Sequence, residues 1–339
     1  MNAEKLPRVT IAVPTYNRAD LLDRALDSLS RQTYSALEIV ICDNASADDT
    51  PEVIRRRAAS DDRIKHHRAA TNVGAFKNFE LGLLLARGEY FMWAADDDLW
   101  EPELVQHLVT VLDGDPSIVL AGAEARYMTV EGEPFAYFPE GGALRQRPSR
   151  GTVSERLRAL VNGNYGNLFY GLYRREVLIR TFRGRPVGTA FSVYGPTTVG
   201  SYGPQSGVNE VPILLQVAAR GAIAVIEDCL WSKATTESAY ADAYSESARR
   251  DGAAPENPPT THALKLARGA AAIRWRLRSD AAYHRAVFAD ISSSVSTLEI
   301  PYRLKRELLT RFRLRLVRHY LEFERRQALA AVNAIGEGR

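Results

Sequence analysis

Three adjacent carboxylates, Asp96-Asp97-Asp98, follow directly on the apolar run Phe91-Met92-Trp93-Ala94-Ala95. Holding three like charges against a buried segment is costly unless a cation neutralises them. A divalent metal such as Mg²⁺ or Mn²⁺ meets that need with hard oxygen ligands, usually one or two carboxylates completed by substrate phosphates, so the triplet points to a nucleotide diphosphate. The same residues admit a plainer role, because Asp97 and Asp98 could cap the helix that begins near Pro102. Other polar clusters recur at comparable places in the chain. Pro14-Thr15-Tyr16-Asn17-Arg18, Asp43-Asn44-Ala45-Ser46 and Asn72-Val73-Gly74 each follow a short run with strand character.

Those clusters need elements to hold them, and the periodicity of the first 125 residues supplies a set. Val9-Val13 and Leu37-Cys42 are short, β-branched or apolar runs, whereas Asp20-Gln32 places Leu21, Leu22, Ala25, Leu26 and Leu29 on one helical face. A helix from about Thr50 to Ala59, a weak strand at Arg63-His67, a helix at Phe76-Ala86, a strand at Tyr90-Ala94, a helix at Pro102-Asp113 and a strand at Ile118-Ala125 continue the alternation. Strand and helix in turn predict an α/β fold, Rossmann-like, with a mixed or mostly parallel sheet flanked by helices and with ligand groups at the strands' C-terminal ends. Beyond Gly132 the spacing predicts helices at Val153-Val161 and Val211-Arg220 and a strand at Ile223-Glu227. Gly188-Val208 carries five glycines, two prolines and no charge, and reads as a lid that closes over ligand.

Composition narrows the class. The chain has 339 residues, 45% hydrophobic and 25% charged, enough apolar material for a sizeable core and far from a disordered sequence. Two cysteines, Cys42 and Cys229, exclude a disulfide scaffold and fit a reducing compartment. No apolar run approaches the roughly 18 residues of a membrane span, and Met1-Arg8 lacks a secretory stretch, so the expected location is cytoplasmic. The six histidines show no zinc spacing, and no Walker-type loop is present. From His262 onward there are 16 Lys and Arg against 7 Asp and Glu, leaving 28 against 34 in the preceding residues, so a basic tail follows a mildly acidic body. The tail lacks the aromatic interleaving of a nucleic-acid module, and no nucleic-acid partner is expected. Its apolar residues Leu304, Leu308, Leu309, Phe312, Leu316, Tyr320 and Phe323 recur at three- and four-residue steps. Such a stripe could lie in an anionic membrane interface or pack within the protein or in a homodimer.

The order and spacing of these segments resemble the inverting family-two nucleotide-sugar glycosyltransferases with the glycosyltransferase type A fold. The resemblance runs over about residues 8–125, through Pro14-Arg18, Gln32-Thr33-Tyr34, Glu38-Ile39-Val40, Asp43-Ser46, Asn72-Val73-Gly74, Gly88-Glu89-Tyr90 and Asp96-Asp98. It implies a donor-binding half at 1–125, an acceptor and catalytic-base half at 126–238, a linker at 239–261 and a basic helical C-terminal extension at 262–339. It further implies that Pro14, Thr15 and Tyr16 wall the base pocket, that Asp43 hydrogen-bonds the base, commonly uracil, and that Asn72 borders the donor. Arg18 and Lys77 are the cations that could sit near the diphosphate, with a surface charge at a helix start as the plainer role for Arg18. Asp97 takes the divalent metal, Mn²⁺ or Mg²⁺, with Asp98 supporting it as a metal residue and Asp96 near the ribose or sugar. Many relatives carry Asp where this chain has Ala95, which leaves the division between Asp96 and Asp97 open.

An inverting transfer also needs a general base on the sugar face opposite the leaving group. The family's acid-before-helix pattern matches Asn209-Glu210-Val211-Pro212-Ile213-Leu214-Leu215 and nominates Glu210, with Glu227 and Asp228 as the alternative; a helix-start acid favoured by the dipole is the plainer role. Tyr165, Tyr170 and Trp231 could stack on acceptor sugars, or be core. The expected activity is sugar transfer from a nucleotide diphosphate, UDP favoured, to a glycan or lipid-linked acceptor, with peripheral attachment to the inner face of the cell membrane as one of the options for the tail. A nucleotide-sugar-binding protein that has lost catalysis is the alternative.

Overall fold

The apolar runs of the N-terminal half become strands with no face left for water. The computed structural model describes residues 8–128, 131–132, 151–162, 166–182, 210–234 and 291–314. In it β1 (Val9–Thr15) and β2 (Leu37–Asp43) are buried at every position, as parallel strands covered on both sides must be. Between them α1 (Ala19–Ser30) turns Leu22, Ala25, Leu26 and Leu29 inward. Next come α2 (Thr50–Ser60), β3 (Ile64–Arg68) and α3 (Ala75–Leu85). Helix α3 lies so close to β1 that a Cβ on Gly82 would come within 2.6 Å of the Ala12 methyl. Then β4 (Tyr90–Trp93), the two-residue β5 (Leu99–Trp100), α4 (Leu104–Gly114) and β6 (Ile118–Met128) complete the part read most clearly from periodicity.

The rest of this unit adds α5 (Val153–Asn162), a 3-10 turn (Gly166–Tyr170), β7 (Leu172–Arg174), α6 (Arg175–Phe182), α7 (Glu210–Arg220) and β8 (Ala222–Ala234). The described strands form one sheet in the order β3-β2-β1-β4-β7-β6-β8-β5. Pairs β2/β3, β1/β2, β1/β4 and β6/β8 are parallel; β7 runs antiparallel to β4 and β6, and β5 antiparallel to β8. The fold is therefore a mixed, mostly parallel sheet flanked by helices, as expected.

The segment before α6 divides into the 3-10 turn and the short β7, and one strand boundary differs from expectation. Strand β8 continues past Glu227 to Ala234, because β6 on one side and β5 on the other give its polar second half hydrogen-bond partners. Glu227 and Asp228 accordingly sit mid-strand, exposed, where the β6/β8 register skips between Ala123↔Ile226 and Glu124↔Cys229.

One large aromatic cluster secures the centre. Trp93 is fully buried, lies flat on Phe169 with centroids 4.6 Å apart, and meets Phe91 edge-on at 4.7 Å. Its indole N–H donates to the Phe79 carbonyl at 2.9 Å, which satisfies the one polar atom it buries. Thus the strand that leads into the acidic triplet is anchored before the triplet begins.

Residues 291–314 belong to a second compact unit. They are helical at 291–296 and 302–314, separated by Pro301, whose carbonyl accepts the N–H of Leu304 and Lys305. Leu304, Leu308 and Phe312 of the expected stripe are buried and Leu309 is half-buried. Leu316, Tyr320 and Phe323, the Gly188–Val208 segment and the 239–261 linker lie outside the described residues.

Candidate active site

The C-terminal ends of β1, β2 and β4 meet, and side-chain hydrogen bonds stitch their loops together. Asn17, with φ of 52°, accepts the Ala47 N–H through its Oδ1 at 2.7 Å, and its own N–H donates to Ser46 Oγ at 2.9 Å. Ala45 also adopts positive φ, 63°. Non-glycine residues hold that conformation only where their surroundings over-determine it, and such positions cluster at ligand sites. The backbone N–H groups of Arg18 and Ala19 donate to Thr50 Oγ1 and Asp48 Oδ2, so the loop after β2 braces the start of α1. On the other side Asn44 Nδ2 donates to Asn72 Oδ1 at 2.8 Å while Asn44 Oδ1 accepts the Val73 N–H at 2.8 Å. Asn78 Nδ2 donates to the Cys42 carbonyl at 2.7 Å. Pro14 and Thr15 are buried in this floor, and Tyr16 stands out of it, 41% exposed.

Asp96, Asp97 and Asp98 occupy the turn between β4 and β5, and the structure gives each a different environment. Asp96 is buried, and that burial pushes its carboxyl up to about 6 against the pull of the Arg18 charge. Asp97 is half-buried at the rim. Arg18 Nη1 reaches both, at 3.1 Å from Asp96 Oδ1 and 2.7 Å from Asp97 Oδ2. Asp96, with Asp97, holds the guanidinium still more firmly protonated. The chain itself thus supplies one cation to two of the three carboxylates.

Asp98 faces the other way. It lies one step beyond the Leu99↔Ser232 pair of the β5/β8 ladder, and its Oδ1 accepts the Ala234 N–H at 2.8 Å. No donor among the described residues reaches its buried Oδ2. Burial, with Asp97 close by, pushes the Asp98 carboxyl well above its ordinary range, although the Lys233 charge opposes this. Lys233 in turn lies 5.2 Å from the Tyr170 ring and 5.9 Å from that of Trp231. Asp98 therefore fastens the acidic turn to β8.

The remaining expected residues fall as follows. Asp43 is buried with both oxygens engaged: Oδ1 accepts the Ser46 N–H at 2.9 Å, and Oδ2 pairs with Arg68 at the end of β3. A base could reach this carboxylate only by displacing one of them, and Arg68, which is exposed, is the one free to move. Asn72 and Lys77 are exposed, Lys77 in the first turn of α3. Glu210 is the first residue of α7, as its helix-start pattern implies, while its side chain lies outside the described residues. Trp231 is not open to a sugar: it is buried and stacked on Trp100 at 5.0 Å. Tyr170 is half-buried against Trp231, and Tyr165 lies outside the described residues.

Sequence reading missed two cations. Arg68 pairs with an acid 25 positions away and the Lys233 charge acts on one 135 positions away, and neither belongs to a local pattern.

Among the described residues no three His, Cys, Asp or Glu side chains converge as a metal cage. Asp97, half-buried, and Asp96, buried beside it, are the carboxylates that could hold a divalent cation completed by substrate phosphates.

The family model for glycosyl transferase family 2 matches residues 10–182, just over half of the chain. The chain belongs to that family. The matched stretch holds every strand end described above except that of β8. A Campylobacter jejuni relative named GalNAc(5)-diNAcBac-PP-undecaprenol beta-1,3-glucosyltransferase is 37% identical over 94 residues, 27% of this family 2 chain and 30% of the relative. An uncharacterized glycosyltransferase of Rickettsia felis is 29% identical over 161 residues, 46% of this chain and 26% of that one. The aligned part thus spans about a third or less of those two relatives. Among solved structures, S. aureus TarS 1–349 in complex with UDP-GlcNAc is similar, with a TM-score of 0.58 and 17% identity, over 90% of this chain and 71% of that one. This likeness shows the fold.

Proposed function

We propose that the protein transfers a sugar, with inversion, from a nucleotide diphosphate donor to a hydroxyl of a glycan or lipid-linked acceptor. The observation that carries this reading is the convergence of Tyr16, Arg18, Asp96 and Asp97 on one braced rim at the ends of β1 and β4. A uridine diphosphate sugar is the donor we favour, supported by the UDP-GlcNAc complex of like-folded TarS. The undecaprenol-linked substrate in the name of the C. jejuni relative supports a lipid-linked acceptor.

In this reading the Tyr16 ring lies against the base, and Asp97 with Asp96 holds a divalent cation. That cation, when bound, stabilises the charge that develops on the leaving diphosphate. Arg18 and Lys77 contribute positive charge to the same oxygens. Glu210 accepts the proton of the acceptor hydroxyl as its oxygen bonds to the anomeric carbon and the nucleoside diphosphate departs, so no covalent enzyme intermediate forms. Burial of Leu304, Leu308 and Phe312 supports packing within the protein for that part of the tail rather than a membrane-facing role.

The test is release of nucleoside diphosphate from a panel of uridine, deoxythymidine and guanosine diphosphate sugars with Mn²⁺ and a lipid-linked acceptor extract. Release that depends on both metal and acceptor supports the proposal. A second reading, a donor-binding protein without catalysis, is favoured by Ala95 in place of the relatives' Asp, and donor binding with no release would establish it.

A further inference from the structure

Arg18 is built as a movable side chain on a fixed backbone. Its N–H is held by Thr50 Oγ1 at 3.2 Å, and the preceding Asn17 is locked in positive φ by its bonds to Ser46 and Ala47. The side chain is 37% exposed and ends with one nitrogen shared between Asp96 Oδ1 and Asp97 Oδ2. A guanidinium in that position neutralises the same oxygens that a divalent cation would need. Two cations cannot use those oxygens at once without repelling each other at close range. A diphosphate, however, offers a guanidinium the planar oxygen pairs that it binds best.

We propose that Arg18 is the resident counterion of the acidic turn, occupying the divalent-cation position in the free protein and yielding it when a nucleoside diphosphate arrives to take up its guanidinium. Metal alone then binds weakly, and metal and nucleotide bind cooperatively, each strengthening the other by the same factor. Only the side chain needs to swing, since the loop that carries it is braced on both sides. The inference rests on the donor-site reading above and adds to it an order of events and a residue that controls metal affinity.

The experiment is Mn²⁺ binding, read from the free-ion electron paramagnetic resonance signal, on the full chain with and without UDP. Arg18→Met removes the charge and keeps the bulk. Metal-only affinity should rise by on the order of tenfold or more, the factor expected when a unit charge a few ångströms from a divalent ion is removed in a well-solvated rim. The factor by which UDP tightens Mn²⁺ binding should shrink, and UDP itself should bind more weakly. Arg18→Lys keeps the charge and should leave metal-only affinity near that of the wild type. Equal or weaker metal-only binding by folded Arg18→Met overturns the proposal and makes Arg18 a static brace. Should that variant fail to fold, wild-type Mn²⁺ affinity that UDP leaves unchanged overturns it equally. If the wild type binds no UDP with Mn²⁺ at all, the donor-site reading itself fails, a result distinct from either.

Discussion

Replacing Asp98 with asparagine removes a proton-binding site while preserving the tether. The native carboxyl is buried, keeps the Ala234 N–H at 2.8 Å and has its proton affinity raised well above the ordinary value of 3.8. Burial is the main cause, with the Asp97 charge adding to it. Between the unfolded and the native titration points, the native state therefore binds more protons than the unfolded chain. Wild-type stability must then fall as pH rises through that window, by up to about 1.4 kcal/mol per pH unit for this one group. The amide of Asp98→Asn does not titrate, and its carbonyl oxygen still accepts the Ala234 N–H. The stability of the variant relative to wild type should accordingly be near zero at about pH 4 and grow toward neutral pH at up to that slope. Asp98→Ala instead leaves the Ala234 N–H without its partner and should cost about 1–3 kcal/mol across the range. Urea unfolding followed by circular dichroism at about pH 4, 6 and 8 measures all three proteins, with the slope set by linkage. A difference between Asp98→Asn and wild type that does not change with pH would refute the reasoning, because it would mean that the native and unfolded carboxyls titrate alike.

Trp93→Ala should cost about 3–5 kcal/mol in the same unfolding assay, since it empties the fully buried position that stacks on Phe169 and anchors β4. Tyr16→Ala should leave stability within about 0.5 kcal/mol, as expected for an exposed side chain. The same change should weaken nucleotide binding by about 1–3 kcal/mol in calorimetry, the usual worth of a base stacked on an aromatic ring. Glu210→Gln should keep donor affinity and lose turnover, because the amide preserves shape but accepts no proton; unchanged turnover moves the base elsewhere.

Much of the donor half was legible because its signals are local. Strands β1, β2 and β4 are mostly apolar and buried throughout, α1 shows a clean helical stripe, and polar clusters follow each strand where a parallel sheet gathers its ligand groups. Helix α7 begins at Glu210, the acid that the helix-start pattern singled out. What escaped the sequence depends on partners far along the chain. The second half of β8 is polar and strand-like only because β6 and β5 pair with it, so Glu227 could not be seen as mid-strand. Trp231 looks like a sugar platform until Trp100, 131 residues earlier, is found lying on it. The sequence signalled that the acidic triplet needs a neutralising cation, but not that Arg18 reaches two of its carboxylates. Charge repulsion requires a cation, yet nothing local says whether it is a metal or an arginine 78 residues upstream. Likewise Asp43 has the sequence context of a base-binding acid, while its geometry shows a carboxylate already held by Ser46 and Arg68.

The central claim is that the rim formed by Tyr16, Arg18, Asp96 and Asp97 binds a nucleoside diphosphate through a divalent cation on Asp97. Calorimetric titration of UDP into the full chain, in Mn²⁺ and in EDTA, with wild type and Asp97→Ala side by side, tests it most directly. The account predicts binding by the wild type in Mn²⁺, and its loss both in EDTA and in a folded Asp97→Ala. Equally tight binding of UDP by the wild type in EDTA, or by Asp97→Ala in Mn²⁺, would contradict it.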